Sequence, residues 1–175
     1  MIPFVNAAGL ARIAHDSLIW NGVIMAELNG AVLEYGVPEP AETASVMADK
    51  LRFHTDSWDL SVDLKSGQPD LVVIDTRSRQ AYADGYIPGA VSLPHREMTD
   101  EAAGRLDRRK VYVVYCDGIG SNASTKGAYK LSLLGFRAKE LLGGLDWWRR
   151  DGHPVATSRE PGSLDFKVAE KVAQP

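Results

Sequence analysis

Two runs of uninterrupted apolar residues divide the chain: Leu71-Val72-Val73-Ile74, which ends at Asp75, and Val111-Tyr112-Val113-Val114-Tyr115, which ends at Cys116. Both have strand length, and β-branched or aromatic side chains fill them, so each reads as a strand covered on both faces. Between them the pattern predicts a short helix over 78–84 closed at Gly85, and a strand over 90–93 after the turn Pro88-Gly89. A helix capped by Thr99 or Asp100 then runs through Leu106. After the second run come a helix over 123–134 stopped at Gly135, a strand over 139–142 and a helical turn or two over 145–150. Upstream, Ala44, Met47 and Leu51 at spacings of three and four predict a helix over 41–51. A short strand over 52–54 follows, then a helix over 58–65 capped by Thr55, Asp56 or Ser57 and stopped at Gly67. Apolar strands alternating with helices imply an α/β domain with a parallel sheet and helices on both faces.

The flanks read differently. In residues 1–37, Asn21-Gly22 and Asn29-Gly30 separate the apolar stretches 17–20, 23–28 and 31–35. Asn-Gly suits a tight hairpin turn, so a three-stranded ribbon is one reading. The other is a loosely ordered extension, with a start near Met25. Val37-Pro38-Glu39-Pro40 reads as a linker. The main domain is expected over 38–155, followed by a polar tail over 156–175 in which 164–172 is helical.

Composition narrows the function classes. The 175 residues are 45% apolar and 25% charged, as in ordinary globular proteins, and a net charge of −3 offers no electrostatic case for nucleic acid or an anionic membrane. No apolar run reaches the length of a membrane span, and the first residues lack the basic stretch of a secretory signal. With one cysteine no internal disulfide can form, which favours a reducing compartment; a cytoplasmic location is expected. Four scattered histidines have no metal-ligand spacing, and no phosphate-binding or dinucleotide fingerprint is present, so neither metal nor cofactor is expected.

The chemistry centres on Cys116. A strand delivers it to the loop Asp117-Gly118-Ile119-Gly120-Ser121-Asn122, which opens onto a helix start. A helix start offers unpaired N–H groups and positive potential, an environment that favours a thiolate. Gly118 and Gly120 would let the loop turn its N–H groups inward around one sulfur or oxyanion. A buried, inert cysteine is the competing reading.

Several motifs occur in order along residues 50–155: Val73-Ile74-Asp75-Thr76-Arg77, Tyr82-Ala83-Asp84-Gly85-Tyr86-Ile87-Pro88-Gly89-Ala90-Val91-Ser92-Leu93-Pro94, Val113-Val114-Tyr115-Cys116, Leu134-Gly135-Phe136, Leu142-Gly143-Gly144, a tryptophan at 147 or 148, and Gly152-His153-Pro154-Val155. With them the chain resembles the single-domain rhodanese-like sulfurtransferases. That resemblance implies a three-layer α/β fold with a five-stranded, mostly parallel sheet. It also implies that Cys116 takes a sulfane sulfur from a donor such as thiosulfate, becomes a persulfide and passes the sulfur to a thiol, on a small molecule or a protein, or to cyanide.

The loop departs from the common family pattern. Ser121 stands where many members carry arginine, and the distance from Cys116 to Gly135 is one residue longer. The closest pattern is that of a bacterial subgroup with Cys-x-Gly-x-Gly-Cys-Asn, in which Ser121 replaces the second cysteine. Tyr86 stands where histidine is usual. Without that arginine, and with Asp117 beside the sulfur, the phosphatase and arsenate reductase chemistries of related folds lack their oxyanion clamp. A persulfide carrier or interaction module of the same fold is the alternative to an enzyme. His95 and Arg96, just past a strand end, are candidates to bring positive charge to the substrate. Arg77 reads first as half of a structural ion pair, and Trp147-Trp148 as core plus one exposed face.

Overall fold

A computed structural model of the protein describes residues 31–158, together with the backbone of two short strands, β1 (Ile19–Trp20) and β2 (Val23–Ile24). The chain divides between Ala44 and Ser45 into two units. In the first, β1 and β2 pair antiparallel, with Ile19 opposite Ile24 and Trp20 opposite Val23. The third ribbon strand expected over 31–35 does not form. That stretch is a series of turns closed by a hydrogen bond from Gly36 N–H to Leu33 O, with Gly36 at φ +81° and Val32 and Tyr35 exposed. A strand without a ladder partner leaves its backbone groups unpaired, and the local turn satisfies some of them instead. Residues 25–30, with the second Asn-Gly, and the helix expected over 164–172 lie outside the described residues.

Helix α1 (Pro40–Phe53) starts with proline at its first position, where the missing N–H costs nothing. It takes in Arg52 and Phe53, which the sequence places in a strand; an i,i+3 pair between Arg52 and Asp49 at 2.6 Å supports the last turn. Strand β3 is only His54–Thr55. Helix α2 (Ser57–Ser66) is capped by Asp56, whose side chain accepts from Asp59 N–H, and ends at Gly67 in the left-handed conformation. Strand β4 (Leu71–Asp75), helix α3 (Arg79–Asp84), strand β5 (Val91–Ser92), helix α4 (Asp100–Ala103), strand β6 (Val111–Tyr115), helix α5 (Ala123–Leu133), strand β7 (Arg137–Leu141) and helix α6 (Gly144–Arg150) complete the order. Helix α4 stops at Gly104, short of the predicted Leu106.

The sheet order is β3-β7-β6-β4-β5 and every pairing is parallel. The five-stranded α/β fold expected from the sequence is therefore present. Alternation along β4 and β6 sends neighbouring side chains to opposite faces. Val73, Val113 and Tyr115 join Leu60 of α2 and Leu145 and Trp148 of α6 in one core. Ile74, Tyr112 and Val114 join Ala103 of α4, Leu131 of α5 and Met98 and Phe136 in the other. Trp148 is buried and Trp147 partly exposed, as the sequence indicates. No helix among the described residues is long and apolar enough to cross a membrane.

Candidate active site

Because all five strands run the same way, their carboxyl ends share one edge of the sheet. The chain moves outward from β4 to β5, returns past it to β6, and then moves the other way to β7. Cys116 directly follows β6, beside this reversal, where open parallel sheets form crevices.

The backbone around Cys116 is held from two sides. Thr76, after β4, donates to Tyr115 O from both its N–H (3.0 Å) and its hydroxyl (2.7 Å). From the first turn of α6, Leu145 N–H donates to Cys116 O at 2.9 Å and Asp146 N–H to Asp117 O at 2.8 Å. This approach requires glycine at 144: its φ is +55°, and a Cβ there would collide with Cys116 O. The Gly143-Gly144 pair thus lets one helix start grip the carbonyls of the cysteine loop.

The surroundings of the sulfur differ from the sequence expectation. Cys116 Sγ lies 3.5 Å from Gly118 O, 3.3 Å from Ser121 O and 3.0 Å from Ser124 Oγ. No backbone N–H of the described loop residues is hydrogen-bonded to it. Gly118 and Gly120 are also not among the glycines with positive φ. At Gly118 the constraint is space, since a Cβ would come within 3.2 Å of the Asp146 side chain, whereas Gly120 faces open solvent. Ser121 Oγ accepts from Ala123 N–H at 3.4 Å, so this side chain engages the start of α5.

Ser124 links the sulfur to a carboxylate. Its hydroxyl donates to Glu140 Oε1 at 2.6 Å, and that oxygen also accepts from Thr125 at 2.9 Å. Glu140 Oε2 lies 3.8 Å from His54 Nε2. Neither Ser124, Glu140 nor His54 stands out in the sequence as a site residue. The available signal is the charged pair Lys139-Glu140 inside a strand of an otherwise apolar parallel sheet.

Cys116 and Ser124 lie at the base of a cleft of about 580 Å³, walled by 118–122 on one side and by Glu140 and 141–144 on the other. Glu140 is the one charged side chain lining it. Beyond the loop, a second cleft of about 570 Å³ contains Asp117, Asp146, Arg149 and Arg150. Ile119 and Leu142 also border an apolar groove with Trp58 and Trp147.

The sequence-selected residues therefore separate. Cys116, Gly118, Ile119, Gly120, Ser121 and Asn122 share the first cleft, and Asp117 faces the second. His95 and Arg96 line neither. His95 N–H donates to Thr76 O, and its own carbonyl accepts from Lys130. Burial, together with the charges of Lys126, Lys130 and Arg96, pushes the pKa of His95 down.

Arg77 is a structural partner, as the sequence suggests. It forks onto Asp75 (Nη2 to Oδ2, 2.6 Å), donates to Gly85 O at 2.6 Å and reaches Asp117 Oδ1 at 3.0 Å. Burial lowers its pKa, but the bonds and charge of Asp75, with the bond to Asp117, outweigh that and hold it above the ordinary value. Arg77 thereby compensates the one acid of the loop. Tyr86 stacks on Tyr82 with ring centroids 4.0 Å apart and pairs with Ala156, so its role here is local packing.

Comparison with known proteins agrees with the fold. A model of the Rhodanese-like domain family matches residues 60–151, just over half of the 175-residue chain. The crystal structure of the BH2092 protein from Bacillus halodurans is 34% identical, with a TM-score of 0.67, over 76% of this chain and 99% of that one. The solution structure of the rhodanese-like domain of the Alr3790 protein from Anabaena is 31% identical, with a TM-score of 0.55, over 64% of this chain and 86% of that one. Among curated proteins, the HTH-type transcriptional regulator Rv0324 from Mycobacterium tuberculosis is 30% identical over 96 residues, 55% of this chain and 42% of that protein's length.

Proposed function

The chain belongs to the rhodanese-like domain family, and on that premise we propose that it is a sulfurtransferase that works through a persulfide on Cys116. The sulfur pair of Cys116 attacks the outer sulfur of a donor such as thiosulfate. A new S–S bond forms, the bond to the sulfite sulfur breaks, and sulfite leaves with the electron pair. An acceptor thiol, on a small molecule or a protein, then attacks the outer sulfur and releases the Cys116 thiolate; cyanide as acceptor yields thiocyanate. Residues 118–122 line the cleft that receives the outer sulfur.

The observation that carries this reading is the place of Cys116: at a strand end, beside the first turn of a helix, at the base of an open cleft. A carboxylate as the cleft's one charged lining group opposes a phosphate or arsenate dianion, which needs a cationic clamp. The same feature favours a second reading, a persulfide carrier that takes sulfur from a protein and does not turn over thiosulfate.

Intact mass of the protein after exposure to thiosulfate, and separately to an alkyl persulfide, tests the proposal. One added sulfur, removable by cyanide and absent in Cys116→Ser, is the expected result; an unchanged mass with both donors overturns it. Cys116-dependent thiocyanate formation from thiosulfate identifies the enzyme. Loading by the persulfide without that turnover identifies the carrier.

A further inference from the structure

The sulfur of Cys116 is surrounded by acceptors. Gly118 O, Ser121 O and Ser124 Oγ all lie within 3.5 Å of it. Such surroundings suit a thiol that still carries its proton, whereas sulfur transfer needs the sulfur without it. The hydroxyl of Ser124 is oriented by its 2.6 Å bond to Glu140 Oε1, so its lone pairs are free to accept the cysteine proton.

Resting on the sulfurtransferase reading above, we infer that Ser124 and Glu140 form a proton relay that activates Cys116, with Glu140 as the terminal base. The Cys116 proton passes to Ser124 Oγ as the Ser124 proton passes to Glu140 Oε1. Ser124 then donates to the sulfur and accepts from the Glu140 carboxyl. No net charge enters the cleft in this step, because the negative charge moves from carboxylate to sulfur. As the new S–S bond forms and sulfite departs, the proton held by Glu140 returns through Ser124 to the persulfide, and the carboxylate is restored. No outside oxidant or base is consumed.

The geometry separates this arrangement from a merely structural one. Ser124 is buried against both partners, and Glu140 is the charged group on the cleft wall. Thr125 donates to the same oxygen at 2.9 Å and His54 lies 3.8 Å from the other, which fix the carboxylate without touching the sulfur. The other acids near the loop are engaged elsewhere, Asp117 with Arg77 and Asp146 of α6 with Arg150, and Arg149 lines the second cleft. Ser124 would contact the reacting sulfur directly, and Glu140 would act through it.

Cys116 is the only cysteine, so its alkylation by uncharged iodoacetamide reads one thiol whether or not the chain transfers sulfur. The rate, followed from about pH 4 to 9, should have in the natural protein an acidic limb that follows a carboxylate and not the thiol. In Glu140→Gln and Ser124→Ala that acidic limb should vanish, with rates down about tenfold or more near pH 6.5 and reactivity recovering only in alkali, as for an ordinary thiol. Thr125→Val, which removes a carboxylate bond outside the path, should keep the limb. Ser124→Ala alone decides the matter if Glu140→Gln does not fold. A natural protein without the limb, a Glu140→Gln rate equal to or above the natural one, or a Ser124→Ala profile that keeps the limb overturns the relay. A normal limb in a protein that takes up no sulfur overturns the sulfurtransferase reading instead, and leaves the relay standing.

Discussion

Two acid-centred clusters share the carboxyl edge of the sheet and have opposite characters. At the end of β4, Asp75 is fully buried, and its oxygens accept from the Arg77 guanidinium and from Arg77 N–H. Arg77 also donates to Gly85 O and Asp117. Both carboxylates there are held by the one guanidinium. Near the end of β7, Glu140 accepts from two hydroxyls, stands 3.8 Å from a histidine and faces open space beside the one sulfhydryl. The saturated cluster organises the edge, tying the end of α3 and the cysteine loop to β4. The unsaturated one has a proton path with somewhere to go. A charged residue in a crevice thus says little about chemistry until its hydrogen-bond partners are counted.

The contrast can be broken at its strongest point first. Arg77→Met strands the Asp75 carboxylate in the core and should cost about 3–5 kcal/mol. Urea unfolding would measure it, and a loss below about 1 kcal/mol would mean the pair is not the anchor described here. Glu140→Gln keeps an acceptor for Ser124 and Thr125, so its stability cost should stay within about 1 kcal/mol in the same measurement. A cost rivalling that of Arg77→Met would make both clusters structural.

The smallest effect concerns His95. Its depressed pKa means the folded state resists taking the proton that the unfolded chain accepts near 6.5. Stability should therefore decline as pH falls through and below that value, since the unfolded state then binds more protons. His95→Asn should flatten this part of the curve. An unchanged slope would show that neither burial nor the basic neighbours Lys126, Lys130 and Arg96 act on the ring.

Much of the fold was legible because burial on both faces leaves a plain mark. Strand β6 occupies the residues its apolar run predicts, and β4 adds only Asp75. The caps Asp56, Ser78 and Thr99 each accept from the helix they start, as their side chains favour. Strand β7 was harder to place: Arg137, Lys139 and Glu140 interrupt its pattern, and it begins two residues before the predicted start. The turns over 31–35 show the opposite failure, in which an apolar stretch with strand character pairs with no strand among the described residues.

The sequence by itself determined the strand order of local events: apolar run, cysteine, small polar loop, helix. It also determined the family resemblance, because each of those motifs is local and they follow one another in order along the chain. Only the tertiary structure decided what surrounds the sulfur. Ser124 is eight residues from Cys116 and Glu140 sixteen from Ser124, and they meet because α5 packs beside β7, which no local pattern records. It likewise decided that His95 and Arg96 lie away from the cleft and that Arg77 is spent on Asp75. Local propensity governs which backbone forms, whereas a site depends on side chains from separate elements brought within about 3 Å, a distance set by packing.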